Sequence, residues 1–382
     1  MTFAKKAGIF VIIAMLLAAC GPVVTSTPTP KVVPTEVIVV TSTPEPTEAV
    51  TATSESTATA VPTQAPTATL APTASLPDVS TTAYLDDRST AAAVILSYVN
   101  AINRHEYLRA YAYWNSPTSY IGSLDTFTNA YTNTSAEAVT FGQITSDGAA
   151  GSIYFTVPAV LVDTMNDNST GKYGACFLLR LPQPGNFGAP PIQPMGIERG
   201  VKTAVSSSIS DADVLAAACN STDYPTGANP EASAVESLAD LSSTNYIDNR
   251  SGAVEEVSSL LNAINRKEYV RAYSYFQNPA TFPGSYSSYA AGFNDTGSVT
   301  AIFGTPAVDV GAGQFHYQVP LAMKVITTSN TQQTFVGCYT MHLANPGIQG
   351  TLPFQPLGIT TGKFTQVSNN IDVTPLIATA CN

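Results

Sequence analysis

Five cysteines and three histidines are the side chains of this sequence best able to form a disulfide, accept a covalent group or ligate a soft metal. Four of the cysteines make two pairs, Cys176 with Cys219 and Cys338 with Cys381. Each pair is 43 positions apart, and the second follows the first by 162 residues. In an exported domain such a duplicated pair reads most simply as the disulfides Cys176–Cys219 and Cys338–Cys381. The rival reading, a metal site, lacks CxxC spacing. In the same register His105, His316 and His342 stand opposite Lys267, Tyr154 and Arg180. No metal and no cofactor is therefore expected. Cys20 is left over, with its own context near the amino terminus.

The 162-residue shift also tests for acid–base chemistry, because a residue both copies need should occur twice. Asp125 is matched by Ser287 and Asp163 by Val325, and no paired carboxylates recur at equivalent strand positions. No catalytic residue is predicted by this test. Polar positions that do recur are Asp86/Asp248, Arg88/Arg250, Asn103/Asn265, Arg104/Arg266, Glu106/Glu268 and Arg109/Arg271. Arg109 and Arg271 are candidate anion receptors. The alternative makes Glu106–Arg109 and Glu268–Arg271 i, i+3 helix pairs, with Asp86 and Arg88 setting the start of the first helix. Tyr113 and Tyr275 lie off the main apolar stripe, beside Trp114 and Phe276. These four join the two arginines as candidate pocket residues.

The elements that would position them are legible twice. From Tyr84 to Tyr113, 17 of 30 residues are identical to Tyr246–Tyr275. Each repeat opens with a helix capped by Asp87 or Ser89 (Asn249 or Ser251) and striped by Ala92, Ile95, Val99 and Ile102, or Val254, Val257, Leu261 and Ile264. A second helix carries Tyr107, Ala110, Tyr111 and Trp114, repeated as Tyr269, Ala272, Tyr273 and Phe276, and ends at Pro117 or Pro279. A third holds Phe127 and Tyr131, or Tyr289 and Phe293. Strands follow, first at Val139–Gly142 and Ala301–Gly304. Pro158 and Pro320 inside the next long strand predict a bulge or an edge. A last strand at Gly196–Val205, or Gly358–Val367, precedes a short helix that returns the second cysteine to the sheet.

Helices followed by a bent antiparallel sheet make an α+β order. With Asn-Arg-x-Glu-Tyr-x-Arg-Ala-Tyr-x-Tyr, the later aromatic helix and the long strand containing Val-Pro, each repeat resembles the NTF2-like family, the cone fold shared with ketosteroid isomerase and SnoaL-type proteins. The resemblance implies two tandem domains, 84–219 and 246–382, joined by a 220–245 linker. It also implies a pocket between helices and concave sheet, and an intramolecular pseudo-dimer of the two domains. Some members are isomerases or hydrolases and others only bind, so fold alone assigns no reaction.

At the amino terminus, Lys5 and Lys6 precede an apolar stretch from Gly8 to Leu17, and Leu17-Ala-Ala-Cys20-Gly follows. This segment resembles a bacterial lipoprotein signal, residues 1–19, with Cys20 as the lipidated residue. Residues 20–80 are rich in Pro, Thr, Ser and Ala. They are expected to stay disordered as a stalk reaching roughly 50 to 150 Å. The formal charge of −11 becomes −13 once the signal is removed, which argues against nucleic acid and against a basic membrane-binding patch. The expectation is a lipid-anchored protein of the cell envelope on the extracytoplasmic side. It would bind or scaffold a small molecule, a glycan or an envelope protein without catalysis and touch the membrane only through its lipid. The alternative is an envelope isomerase or hydrolase with one active and one degenerate domain.

Overall fold

A computed structural model describes Val79, residues 83–221, Tyr224, Gly227, residues 229–231 and residues 240–382. The signal segment, Cys20, the Pro/Thr-rich segment apart from Val79, and half of 220–245 lie outside the described residues. The first repeat runs α1 (Ala91–Asn103), α2 (Tyr107–Tyr111), α3 (Pro117–Tyr120), α4 (Leu124–Ala130), β1 (Thr134–Phe141), β2 (Thr145–Ala149), β3 (Ser152–Met165), β4 (Thr170–Pro182), β5 (Gly196–Val205) and α5 (Asp211–Ala218), with β6 (Asn229–Pro230) after it. The second runs α6 (Ala253–Asn265), α7 (Tyr269–Tyr273), α8 (Tyr286–Ala291), β7 (Thr296–Phe303), β8 (Ala307–Gly311), β9 (Gln314–Thr327), β10 (Gln332–Ala344), β11 (Gly358–Val367) and α9 (Thr374–Ile377). The protein is thus α+β, with two separate antiparallel sheets, each preceded by helices.

Both sheets are built around one long bent strand. β3 pairs along its whole length with β4, but on its other side it meets β2 through 152–156 and β1 through 159–165. Pro158 sits at the change of partner. Its carbonyl accepts from Gly142 N–H at 2.9 Å. The N and O of a strand residue point to the same side, so the missing proline donor faces the gap between β1 and β2. Pro320 repeats the arrangement, accepting from Gly304 at 2.8 Å.

Helix α1 buries Val94, Ile95, Tyr98, Val99 and Ile102 against the sheet. Its N-cap is Thr90, whose Oγ1 accepts from Ala93 N–H, and that of α6 is Gly252, so neither Asp87 nor Ser89 caps the helix. The second helix is shorter than its periodicity suggests: α2 ends at Tyr111, and Trp114 lies in the following turn, bridged to Ile197 of β5. Pro117 opens α3 instead of closing a longer helix, as its fixed φ permits at a first turn. Each sheet is stapled to its last helix by a disulfide, Cys176–Cys219 and Cys338–Cys381, with Cα atoms 5.2 and 5.1 Å apart. A closed loop of 43 residues stabilises its domain by about 4 kcal/mol in the chain-entropy account.

Residues 84–89 and 246–251 run antiparallel to one another. Arg88 N–H donates to Asp248 O and Arg250 N–H to Asp86 O, at 2.6 and 2.7 Å. Asp86 N–H reaches Ser251 Oγ and Asp248 N–H reaches Ser89 Oγ. Tyr84 packs against the second repeat's core and Tyr246 against the first's. Asp86 and Arg88 therefore join the repeats; they do not set the start of a helix.

Candidate functional site

In the first repeat, α1, α4 and the sheet line an open cavity of about 450 Å³, within the range of small-molecule pockets. Six aromatic side chains line it: Tyr98 from α1, Trp114, Phe127 from α4, Tyr131, and Tyr173 and Phe177 from β4. Tyr98 meets Trp114 edge-on, with centroids 6.3 Å apart. The Tyr98 and Tyr131 hydroxyls lie 2.9 Å apart, one donating to the other. Burial pushes both phenols well above their usual range, so both stay neutral.

Three charged side chains converge inside this wall. Glu137 on β1 and Asp163 on β3 are direct cross-strand neighbours. Lys202 reaches them from β5, its Nζ donating to Glu137 Oε2 at 2.6 Å and to Asp163 Oδ2 and Oδ1 at 2.7 and 2.8 Å. The carboxylate side chains are 1% and 7% exposed and the lysine 28%. Glu137 Oε1 is buried without a hydrogen-bond partner. Burial pushes the Glu137 carboxyl up to about 7; the Lys202 ammonium opposes this and nearby Asp163 adds to it. Lys202 is raised as well: burial works against its charge, but the two carboxyl groups outweigh that.

The backbone at Glu137 is held by Asn103 at the end of α1. Glu137 N–H donates to Asn103 Oδ1 at 2.7 Å, and Asn103 Nδ2 donates to Glu137 O at 2.9 Å. Asn265 holds Val299 in the same way, at 2.7 and 2.9 Å. The clamp is duplicated; the side chain it presents is not.

At the positions of Glu137, Asp163 and Lys202 the second repeat carries Val299, Val325 and Phe364. All three line its smaller cavity of about 290 Å³, with Phe276, Tyr289, Phe293, Met323 and Phe335. The two matched cavities thus differ in charge: one holds a buried ionic cluster, and the other is lined by uncharged side chains, with Tyr289, Thr296, Gln333 and Tyr339 as its polar members.

Of the six residues expected to line a pocket, Trp114 and Phe276 line the two cones. Tyr113, Tyr275, Arg109 and Arg271 lie elsewhere, in a buried network behind the helices. Tyr113 OH donates to Asp86 Oδ1 at 2.8 Å and Tyr275 OH to Asp248 Oδ1 at 2.9 Å. Arg109 donates through Nε to Glu106 Oε2 at 2.6 Å, through Nη2 to Asn100 Oδ1 at 2.9 Å, and through Nη1 to Leu85 O. Arg271 makes the same three contacts with Glu268, Asn262 and Ile247. Each guanidinium also lies 4.7 Å from the ring centroid of Tyr84 or Tyr246. With their donors taken by the fold, the two arginines are not anion receptors.

Glu137 and Lys202 escape a search for residues present in both copies, since that search rejects what only one copy has. Their signal is the reverse: a charge in one repeat facing an apolar residue in the other, inside a strand. The predicted start of the first strand at Val139 also leaves Glu137 in a connection, whereas β1 begins at Thr134. His316 and His342 lie side by side on β9 and β10, ring centroids 4.9 Å apart, with both nitrogens of His342 engaged by Gln277 and Gln314. Among the described residues, no group of three or more His, Cys, Asp or Glu could hold a metal ion.

Comparison with family models, with curated proteins and with solved structures returns no match. The functional reading therefore rests on the geometry of the chain itself.

Proposed function

We propose that this protein is an envelope lipoprotein of two NTF2-like domains in which the first cone binds a small molecule without turning it over. The second cone is its structural copy. The observation that carries this reading is the replacement of Glu137, Asp163 and Lys202 by Val299, Val325 and Phe364 at matched cone positions. Stability does not require a buried ionic cluster, because apolar residues of similar volume commonly serve as well or better. The second cone does without one, so the cluster in the first cone is better explained by a ligand than by the fold. Two disulfides fit an extracytoplasmic protein, and no described helix is long and apolar enough to cross a membrane. Anchoring through Cys20 remains part of the proposal, as does an internal pseudo-dimer; the reciprocal pairing of 84–89 with 246–251 supports the latter.

A second reading, an isomerase or hydrolase with one degenerate domain, draws on the same asymmetry and on a Glu137 carboxyl held near neutrality, where it can exchange a proton. Binding without turnover is preferred because Lys202 occupies three of the four carboxyl oxygens and stabilises their charged form. Native mass spectrometry of the full chain purified from its membrane tests the choice. An unaltered small molecule that co-purifies, and is absent from a Glu137→Val, Asp163→Val, Lys202→Phe variant, supports binding. Slow conversion of that molecule by the native chain, abolished in Glu137→Gln, would support the enzyme instead.

A further inference from the structure

We infer that the ligand of the first cone carries a protonated amine on an apolar body, with the amine seated against Glu137 Oε1. This rests on the first cone being a binding site and adds the chemistry of its occupant. Donors and acceptors in the cluster do not balance. The lysine ammonium has three N–H donors, directed at Glu137 Oε2 and at both oxygens of Asp163. Glu137 Oε1 is left buried with no donor. Such an orphaned oxygen costs about 1–3 kcal/mol, more for a charged group, and a donor brought by a ligand recovers that cost.

Charge points the same way. One ammonium faces two carboxyl groups, so the cone accommodates one further positive charge and has no free cation for an anion. The walls suit that occupant. Tyr98, Trp114, Phe127, Tyr131 and Phe177 line the same cavity, the Lys202 ammonium already lies 4.6 Å from the Tyr173 ring centroid, and aromatic faces attract cations. Val299 and Phe364 remove the charge and the orphaned carboxylate oxygen from the second cone, whose own unpartnered polar group is the neutral Tyr289 hydroxyl, which makes it a control for the charge.

The groups facing Glu137 are Asp163 on β3, Lys202 on β5, Tyr98 on α1 and Tyr131 after α4; both phenols stay neutral. In the empty cone Glu137 takes up a proton as the pH falls through about 7. An ammonium must displace that proton, so its affinity rises with pH across this range, whereas a neutral ligand has no such dependence.

Trp114, the sole tryptophan of the chain, lines this cavity, and its fluorescence reports occupancy. The test titrates the full chain with 2-phenylethylammonium, 2-phenylethanol and phenylacetate, which share one apolar body. The expected result is at least tenfold tighter binding of the ammonium than of the alcohol at pH 8. That preference shrinks towards pH 6 and is lost in Glu137→Gln, whose fold is checked by its melting temperature. Asp163→Asn, which also removes negative charge, weakens the ammonium in the same direction. If the alcohol or phenylacetate binds as tightly as the ammonium, the amine inference is overturned while the cone stands as a binding site. If none of the three perturbs Trp114 at millimolar concentration, both fail.

Discussion

Asn249 Nδ2 donates to Asp87 Oδ2 at 3.3 Å, and the two residues are each other's counterparts, 162 positions apart. A position that meets its own copy lies on a local two-fold relation between the repeats, so one substitution acts there at the junction itself. Burial, with Asp248 and Asp86 close by, pushes the Asp87 carboxyl up to about 6, although hydrogen bonds from Ser89 oppose this. Folding therefore favours the protonated form. The contribution of this group is fully present below the unfolded value near 3.8 and is lost as the pH rises through about 6. Asp87→Asn copies Asn249, which already accepts from Ser251 N–H as Asp87 does from Ser89. Thermal melts should show a higher midpoint than the native chain at pH 8 and no gain at pH 4.

Glu256 offers a second test at the same junction. It is fully buried on α6, neither carboxyl oxygen has a hydrogen-bond partner, and Arg250 Nη1 stays 3.9 Å away. Its counterpart is Val94. Burial holds this carboxyl well above the usual range, with Arg250 opposing. Glu256→Val removes the orphaned oxygens and should stabilise the fold by about 1–3 kcal/mol. The gain should grow as the pH rises above the unfolded glutamate value, measured by urea denaturation at pH 5 and pH 8.

Arg109 and Arg271 hold the fold together from within a buried network. Arg109→Met leaves Glu106 with only Arg104 as an ionic partner and breaks the link to Asn100. Truncating one partner of a buried pair costs about 3–5 kcal/mol. Unfolding free energies from denaturant titration should fall by that much, and Arg271→Met should match, while the ammonium probe should keep its affinity for the folded fraction of Arg109→Met.

Asn103 separates positioning from stability. Both Asn103→Ala and Asn265→Ala release two backbone hydrogen bonds from a strand, at a cost of about 1–3 kcal/mol each. Only the first frees the strand that presents Glu137. Probe affinity should drop severalfold in Asn103→Ala and stay unchanged in Asn265→Ala, at comparable melting temperatures.

Much of the architecture can be read from the residues because its determinants are local or duplicated. The stripe Ile95, Val99 and Ile102, the interrupting Pro158 and the cysteine spacing each express one element's own requirement. Trp114 and Phe276 are legible as cone residues for the same reason, as large aromatics beside a helical stripe. Residues placed by tertiary demands are harder to read. Asp86 and Arg88 precede α1 as helix-starting residues would, yet their backbone pairs with the other repeat, and nothing within ten residues of them encodes that. Tyr113 lies off the apolar stripe but finds its polar partner in Asp86, 27 positions away. The ionic cluster draws on β1, β3 and β5: Glu137 and Asp163 meet by cross-strand pairing, and Lys202 reaches both from a strand 39 residues beyond Asp163. Asp163 stands out in the sequence, but its opposition to Val325 reads as evidence against a shared site. Its pairing with Glu137 makes it one member of an unshared one.

The two cavities differ in the ionic cluster, and the direct test is to erase that difference. In Glu137→Val, Asp163→Val, Lys202→Phe the first cone takes the second cone's residues at all three cluster positions. The measurement is the Trp114 fluorescence titration with 2-phenylethylammonium at pH 8, on the native full chain and on this variant. Loss of at least tenfold in affinity, with a melting temperature equal to or above that of the native chain, is the predicted result. Affinity within twofold of the native value in a folded variant would contradict the claim that the cluster is the ligand's receptor.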